Sequence, residues 1–184
     1  RTADDFVLAS NTNIAALRFW ISSTSPVVPD PQTNFSGSIT YAFYNNSGGS
    51  IGSLVVSATV SGLTAVPTGS VHSGSNAGMS VLEFDLPSLV SLAAGSYWLE
   101  LHEGTTLSTS DSTNIGWEAS AASGGNALQG LAANGLPTGG TLNNLAFQLF
   151  DTPLNSAATP EPGTLGLAAL AVIAMGVVGK RRQL

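Results

Sequence analysis

Short runs in which apolar and polar residues alternate one by one recur through the first 150 residues of this chain. One of them is SYWLELH, residues 96–102, in which every second residue from Tyr97 onward is apolar. Because successive side chains of a strand point to opposite faces, this period predicts half-buried strands. The same pattern predicts strands over residues 15–21, 38–44, 54–60, 80–86, 96–102 and 144–150, with shorter strands at 6–8 and 115–118.

The connections between these runs are rich in Gly, Ser, Asn and Pro. The segment Asn45-Asn46-Ser47-Gly48-Gly49, for example, is typical of a tight turn. Residues 104–114 and 119–140 show no alternation and are predicted to be long loops. About eight short strands joined by such turns predict an all-β fold, an antiparallel β-sandwich or a jelly-roll-like domain.

Charged residues are scarce and unevenly placed. They make up 9% of the chain, against about 25% in soluble domains, which argues against a helical bundle or a coiled coil. Eleven acids and two arginines precede Lys180, so residues 1–179 carry a formal charge of −9. So few bases exclude a nucleic-acid partner, because such binding neutralises phosphates with Lys and Arg. The absence of cysteine excludes a disulfide scaffold, a thiol nucleophile and a cysteine-ligated metal cluster.

The last thirty residues differ from the rest. A small polar linker, residues 155–162, ends in Pro160-Glu161-Pro162 and is followed by the uncharged run GTLGLAALAVIAMGVVG, residues 163–179. As a helix this run spans roughly 26 Å, close to the ~30 Å hydrocarbon core, so it predicts a single C-terminal transmembrane helix. Residues 180–184 begin with Lys180-Arg181-Arg182, which predicts a cytoplasmic tail and leaves the β domain, residues 1–154, outside.

These three parts in this order resemble the PEP-CTERM sorting signal. The resemblance implies an exported protein of a Gram-negative bacterium that makes exopolysaccharide or biofilm. It also implies transient anchoring in the inner membrane, processing near Pro160-Glu161-Pro162 by an exosortase, and delivery to the cell surface or extracellular matrix. The two prolines keep the segment extended, as a protease or transpeptidase requires. Such substrates also carry a signal peptide. The chain begins Arg1-Thr2-Ala3-Asp4, so either that peptide was removed or the sequence is a fragment.

Short segments of the body, among them Leu17-Arg18-Phe19-Trp20 and Gly116-Trp117-Glu118, also resemble exported PEP-CTERM ectodomains. That group mostly lacks an assigned activity, so no catalytic residue is carried over. The sequence itself predicts no cofactor. Calcium alone stays open, with Asp4-Asp5 or Asp111-x-x-Asn114 as oxygen ligands.

Two tryptophans are the most interesting candidates for binding. Alternation predicts that Trp98, Glu100 and His102 project from one strand face, and that Trp20 projects from another beside Arg18. An exposed indole with polar neighbours can stack on a sugar ring, whereas the alternative is that both indoles pack under loops or in the core.

Three functions of the ectodomain follow from these observations. The first is a non-enzymatic structural or adhesion module of the extracellular matrix. The alternatives are a glycan-binding module that uses the tryptophans and a secreted hydrolase that uses paired carboxylates. The acids available for hydrolysis are Glu83, Asp85, Glu100, Glu103 and Glu118.

Overall fold

Antiparallel strands make up nearly all of the secondary structure. The computed structural model describes residues 2–23, 30–72, 77–107, 115–120, 127–129, 136–137, 141–142 and 144–154. In chain order its elements are β1 (Thr2–Leu8), β2 (Thr12–Ser23), α1 (Pro31–Asn34), β3 (Ser38–Ser47), β4 (Ser50–Ser61), β5 (Val66–Val71), β6 (Gly78–Leu92), β7 (Gly95–Glu103), β8 (Ile115–Trp117), β9 (Ala127–Gln129), β10 (Thr141–Leu142) and β11 (Phe147–Phe150).

The strands form two sheets. Sheet A has the order β10-β9-β1-β7-β3-β4, and sheet B has the order β11-β2-β6-β5, with β8 also paired to β2. Every strand pairing in these two sheets is antiparallel. The all-β, antiparallel fold predicted from alternation is therefore confirmed.

A single apolar core joins the two sheets. Leu99 and Leu101 of β7 belong to the same buried cluster as Leu17 and Phe19 of β2. Aromatic rings also meet across the interface, since the Tyr41 ring of sheet A lies 6.2 Å from the Phe84 ring of sheet B. The sheets thus pack face to face within the compact unit Arg1–Leu154.

The core-facing residues of β2 are those predicted by the alternation, except near the start of the strand. Residues 17, 19 and 21 of β2 point into the core as the alternation predicts. The pairing of β2 with β6 is irregular between Ile14 and Ala16. Because a bulge of this kind restarts the alternation, Ile14 joins the same core face as Leu17.

A second buried cluster lies on the outer face of sheet A. It consists of Ala3, Ala42, Tyr44 and Trp98, against which four partly buried residues pack: Ile51, Leu107, Leu128 and Leu136. The last three come from the two stretches predicted to be loops. Leu107 and Leu136 therefore pack on the outer face of the sheet, whereas Leu128 belongs to β9 of the same sheet. The prediction of loops is wrong for residues 127–129, which form β9.

Strand β5 is another element that alternation does not predict, as are the short α1 and β10. Its sequence, VPTGSV, contains Pro67 and Gly69, and its pairing with β6 is interrupted between Pro67 and Val71. Pro and Gly are tolerated in an edge strand because the backbone groups along its outer side form no hydrogen bonds to another strand. Of the predicted turn at residues 45–49, Gly48 and Gly49 form the turn, with φ values of +63° and +87° that favour glycine, whereas Asn45–Ser47 continue strand β3.

The predicted transmembrane helix, residues 163–179, lies outside the described residues. Within the described ranges, no helix is long and apolar enough to cross a bilayer.

Candidate functional site

Trp20 lies where two short strands meet along one edge of β2. Strand β11 pairs with residues 16–19 of β2, and β8 pairs with residues 21–23. Between them, the carbonyl of Trp20 accepts a hydrogen bond from the Glu118 N–H at 2.8 Å, and the Trp20 N–H donates to the Ala146 carbonyl at 3.4 Å. The Trp117 Nε1–H donates to the same Ala146 carbonyl at 2.9 Å. Trp20 is thereby held at the junction of three strands.

From this junction a two-stranded arm, residues 118–120 and 144–146, extends away from β2. Ala119 pairs with Leu145, and the Ser120 N–H donates to the Asn144 carbonyl at 2.6 Å. Sheet A holds the arm from the other side, because the Leu145 N–H donates to Asp4 Oδ2 at 2.7 Å. The arm therefore links the two sheets at one side of the sandwich.

Asp4 makes this link in a buried setting, with 1% of its surface exposed. Burial raises the pKa of its carboxyl above the ordinary 3.8, while backbone N–H groups of Leu145 and Asp5 lower it in part and the Asp5 charge raises it again. The two N–H groups are hydrogen-bond donors that favour the ionised form, but loss of solvation outweighs them.

A groove of about 410 Å³ opens beside the arm. Strand β9 pairs with β1 at Thr2 and Ala3, so the lining begins where that pairing stops. The groove combines an indole, two carboxylates, two side-chain amides and a hydroxyl. Its lining residues are Asp4, Asp5, Trp20, Ser120, Asn144, Leu145, Ala146, Phe147 and Gln148.

Arg18 lies next to this groove but is occupied. Its guanidinium pairs with Glu83, donates to Gln148 Oε1 at 3.0 Å, and lies 5.1 Å from the centre of the Phe150 ring. The contact with Arg18 also orients the Gln148 amide, since a cation binds the oxygen and leaves the NH₂ group for another acceptor.

The structure places the other predicted glycan contacts away from the surface. Trp98 is 1% exposed, Glu100 0% and His102 5%. The Tyr44 hydroxyl donates to Glu100 Oε2 at 2.8 Å beneath the covering layer. These three side chains therefore do not serve as an exposed platform, and for Trp98 the structure shows the alternative, packing under a covering layer. Trp20 is partly buried and lines the groove.

The acids considered for hydrolysis each accept a hydrogen bond or ion pair from another element, and none of them lines the groove. Glu83 binds Arg18, Asp85 Oδ1 accepts from the Leu154 N–H at 2.6 Å, Glu100 accepts from Tyr44, Glu103 Oε1 accepts from the Ser36 N–H at 2.6 Å, and Glu118 Oε2 lies 2.9 Å from His72 Nδ1. These contacts tie strands and loops together.

For metal binding, the described residues contain no group of three or more His, Cys, Asp or Glu that could hold an ion. Asp4 and Asp5 do line the groove together. Several sequence-predicted residues lie outside the described ranges: Asp111, Asn114, Pro160, Glu161, Pro162, Lys180, Arg181 and Arg182.

Sequence reasoning missed the polar partners of Trp20. Ser120, Asn144 and Gln148 lie more than 99 residues along the chain from it. No local pattern marks them: the arm brings Ser120 and Asn144 to the groove, and the pairing of β11 with β2 brings Gln148.

The described fold defines an antiparallel β protein with an acidic groove at one side. At its C-terminal end, residues 158–182 match the PEP-CTERM protein-sorting motif. The motif confirms the resemblance noted in the sequence and implies an exported protein that is membrane-anchored before an exosortase, a membrane enzyme, processes it. Comparison with curated proteins and with solved structures found no match.

Proposed function

We propose that this chain is a β-sandwich passenger that its C-terminal signal delivers to the cell surface or the extracellular matrix. The observation that carries the proposal is the match at residues 158–182, which begins four residues after the end of the compact unit Arg1–Leu154. In this arrangement residues 155–162 are a linker, residues 163–179 a transmembrane helix and residues 180–184 a cytoplasmic tail.

Each part of the tail has its own task. Pro160, Glu161 and Pro162 present an extended peptide to the exosortase, because proline restricts both its own backbone and that of the preceding residue. Lys180, Arg181 and Arg182 stay on the cytoplasmic side, as basic residues near a membrane segment do. The body does not oppose this orientation, since Arg1 and Arg18 are its only bases.

For the ectodomain we propose a structural or adhesion role in an exopolysaccharide or biofilm matrix. The support is the use of its acids: Glu83, Asp85 and Glu103 hold strands and loops in place. Burial of Trp98, Glu100 and His102 likewise assigns these residues to packing.

A glycan-binding module is the second candidate, and the Trp20 groove favours it. Sugar sites combine an aromatic surface with a few convergent polar groups. The groove has this composition, with Trp20 beside Asp5, Asn144 and Gln148.

The sorting proposal is tested with the double substitution Pro160→Ala and Pro162→Ala, expressed in a bacterium that contains an exosortase. We expect the variant to remain uncleaved in the inner membrane, whereas the parent chain is shortened and found at the surface. Intact mass and membrane fractionation measure both outcomes. Pro153→Ala, outside the motif, is the matched control and is expected to be processed normally. Normal processing of the double variant would contradict the proposal.

A further inference from the structure

The outer face of sheet B, the side away from the core, carries two aromatic side chains on a line along β2. Trp20 belongs to β2, and Phe150 of β11 is paired with Ala16 of the same strand. Because their neighbours Phe19 and Leu149 pack in the core, Trp20 and Phe150 point away from it. Both aromatic side chains are partly exposed, so this line continues from the groove across the face of the sheet.

The two aromatic residues are too far apart to contact one sugar ring. Ala16, the partner of Phe150, precedes Trp20 by four positions, which corresponds to roughly 13 Å along a strand. Aromatic rings in contact lie with their centres about 4.5–7 Å apart, and a pyranose ring is of similar size. A ligand that contacts both side chains is therefore a chain of sugar units that runs along β2.

Polar groups lie between the two aromatic side chains. Gln148 is paired with Arg18, midway along the line, and the Arg18 guanidinium donates to Gln148 Oε1 at 3.0 Å. Because this contact holds the oxygen, the NH₂ group of the exposed Gln148 side chain is directed to other acceptors, such as a sugar hydroxyl. Arg18 also pairs with Glu83 and lies 5.1 Å from the centre of the Phe150 ring. The two charges offset each other, which suits a neutral ligand.

We infer that the aromatic strip, defined as Trp20, Arg18, Gln148 and Phe150, binds an extended neutral saccharide chain along β2. One sugar unit stacks on Trp20 and a later unit on Phe150, while hydroxyls between them accept from Gln148. This inference rests on the glycan-binding function proposed above and adds the class of ligand, a linear polymer. A β-1,4-linked chain, which forms a flat ribbon, has the shape that two outward rings on a sheet face require.

The test measures binding of the full chain in mild detergent to neutral β-1,4-linked oligosaccharides. The probes are cellobiose and cellohexaose, and the disaccharide and hexasaccharide of N-acetylglucosamine. Calorimetry measures the hexasaccharides, and ligand-observed NMR measures the disaccharides if they bind weakly. We expect at least one hexasaccharide to bind about ten-fold or more tightly than its disaccharide, because the longer chain reaches both aromatic side chains.

Four variants locate the contacts. Phe150→Leu keeps an apolar side chain and removes the ring, so it is expected to lower hexasaccharide affinity and leave disaccharide binding unchanged. Phe150→Tyr keeps the ring and should bind as the parent does. Trp20→Leu is expected to weaken every probe. Leu54→Ala removes an exposed apolar side chain from sheet A, so this matched control should retain parental affinities. Circular dichroism checks that each variant is folded.

The outcomes separate the class of ligand from the function. If none of the probes binds, the glycan-binding function and the inference both fail. If Trp20→Leu weakens binding while folded Phe150→Leu binds the hexasaccharide as the parent does, the function stands and the inference is overturned. Equal affinity of the parent for hexasaccharide and disaccharide overturns it as well, independently of the variants. A folded Trp20→Leu protein with parental affinities would show that the strip is not the site.

Discussion

Trp20 and Trp98 occupy equivalent positions in their strands and end in different surroundings. Each sits opposite core residues, and each has a charged residue two positions away, Arg18 or Glu100. Trp98 is nevertheless almost completely buried, whereas Trp20 is partly buried and lines a groove. The difference shows that alternation identifies the two faces of a strand but not which outer face another segment covers.

The covering segments explain the difference. Leu107 and Leu136 pack over the cluster around Trp98, and Leu128 of strand β9 extends the cluster beside Ala3 within the sheet. The hydrogen bond from the Thr40 hydroxyl to the Gly104 carbonyl, 2.8 Å long, ties the first of these segments to the same face. At Trp20 the neighbouring arm instead leaves a groove. The following predictions compare how much side chains on the covered face around Trp98 and side chains near the Trp20 groove contribute to the free energy of unfolding.

The largest expected effect is that of Trp98→Ala. Removing a fully buried indole is expected to lower the free energy of unfolding by about 3–5 kcal/mol, measured by urea denaturation of the full chain. Trp98→Phe should cost less, since it keeps a ring and removes an indole N–H that has no hydrogen-bond partner among the described residues. Trp20→Ala should cost less than Trp98→Ala. Equal costs would show that the two tryptophans do not differ in packing as described.

The second largest loss in free energy of unfolding is expected for Tyr44→Phe, which removes the hydroxyl that donates to Glu100 on the covered face. A hydrogen bond to a carboxylate contributes about 1.5–3 kcal/mol, so a loss in that range is expected. The control is Tyr97→Phe, whose hydroxyl donates to the Ala93 carbonyl at 3.1 Å; a neutral bond of this kind contributes about 0.5–1.5 kcal/mol. The prediction is wrong if Tyr44→Phe proves no more costly than the control.

Asp4→Asn tests the link between the sheets through its pH dependence. Because burial raises the pKa of folded Asp4 above 3.8, its protonated form is favoured by folding. That contribution to stability is full below the unfolded-state pKa and is lost as the pH rises through the raised value. The Asn side chain does not ionise, and its NH₂ group replaces one of the two oxygens that accept backbone hydrogen bonds. This loss is expected to lower the free energy of unfolding by about 1 kcal/mol. The difference in free energy of unfolding between the parent and Asp4→Asn should therefore become smaller as the pH rises.

Urea denaturation at several pH values from 3 to 7 measures this difference. Asp151→Asn, which removes an exposed carboxyl, is the control and should not reproduce the trend. A parent advantage that instead grows as the pH rises would show that the backbone donors outweigh burial at Asp4.

The smallest expected effect is at the edge of the arm. His72→Gln removes the 2.9 Å contact with Glu118, in which the histidine side chain is 41% exposed. Exposed pairs contribute about 0.2–1 kcal/mol, so the free energy of unfolding should change by no more than that. A loss of several kcal/mol would mean that this pair, rather than Asp4, holds the arm.

Most of the fold was predictable, and most of the candidate site was not. Strands β2, β3, β6 and β7 follow the predicted alternation because each has one face in the core. Strand β5 was not predicted because Pro67 and Gly69 interrupt the alternation that marks the other strands. In the groove, the sequence indicates Trp20 as a candidate for stacking on a sugar and Asp4-Asp5 as possible calcium ligands. The lining residues from 118–148 were not predicted, because the arm and the pairing of β11 with β2 bring them there.

By itself the sequence determined which side chains share a strand face and where the sorting signal lies. Both are local patterns, read within one strand or within the consecutive residues 158–182. Tertiary structure alone decided that Trp98 is covered and that Trp20 faces a groove. The reason is physical: these outcomes depend on contacts such as Asp4 with Leu145 and Trp20 with Glu118. Such contacts join distant parts of the chain, and no local periodicity records them.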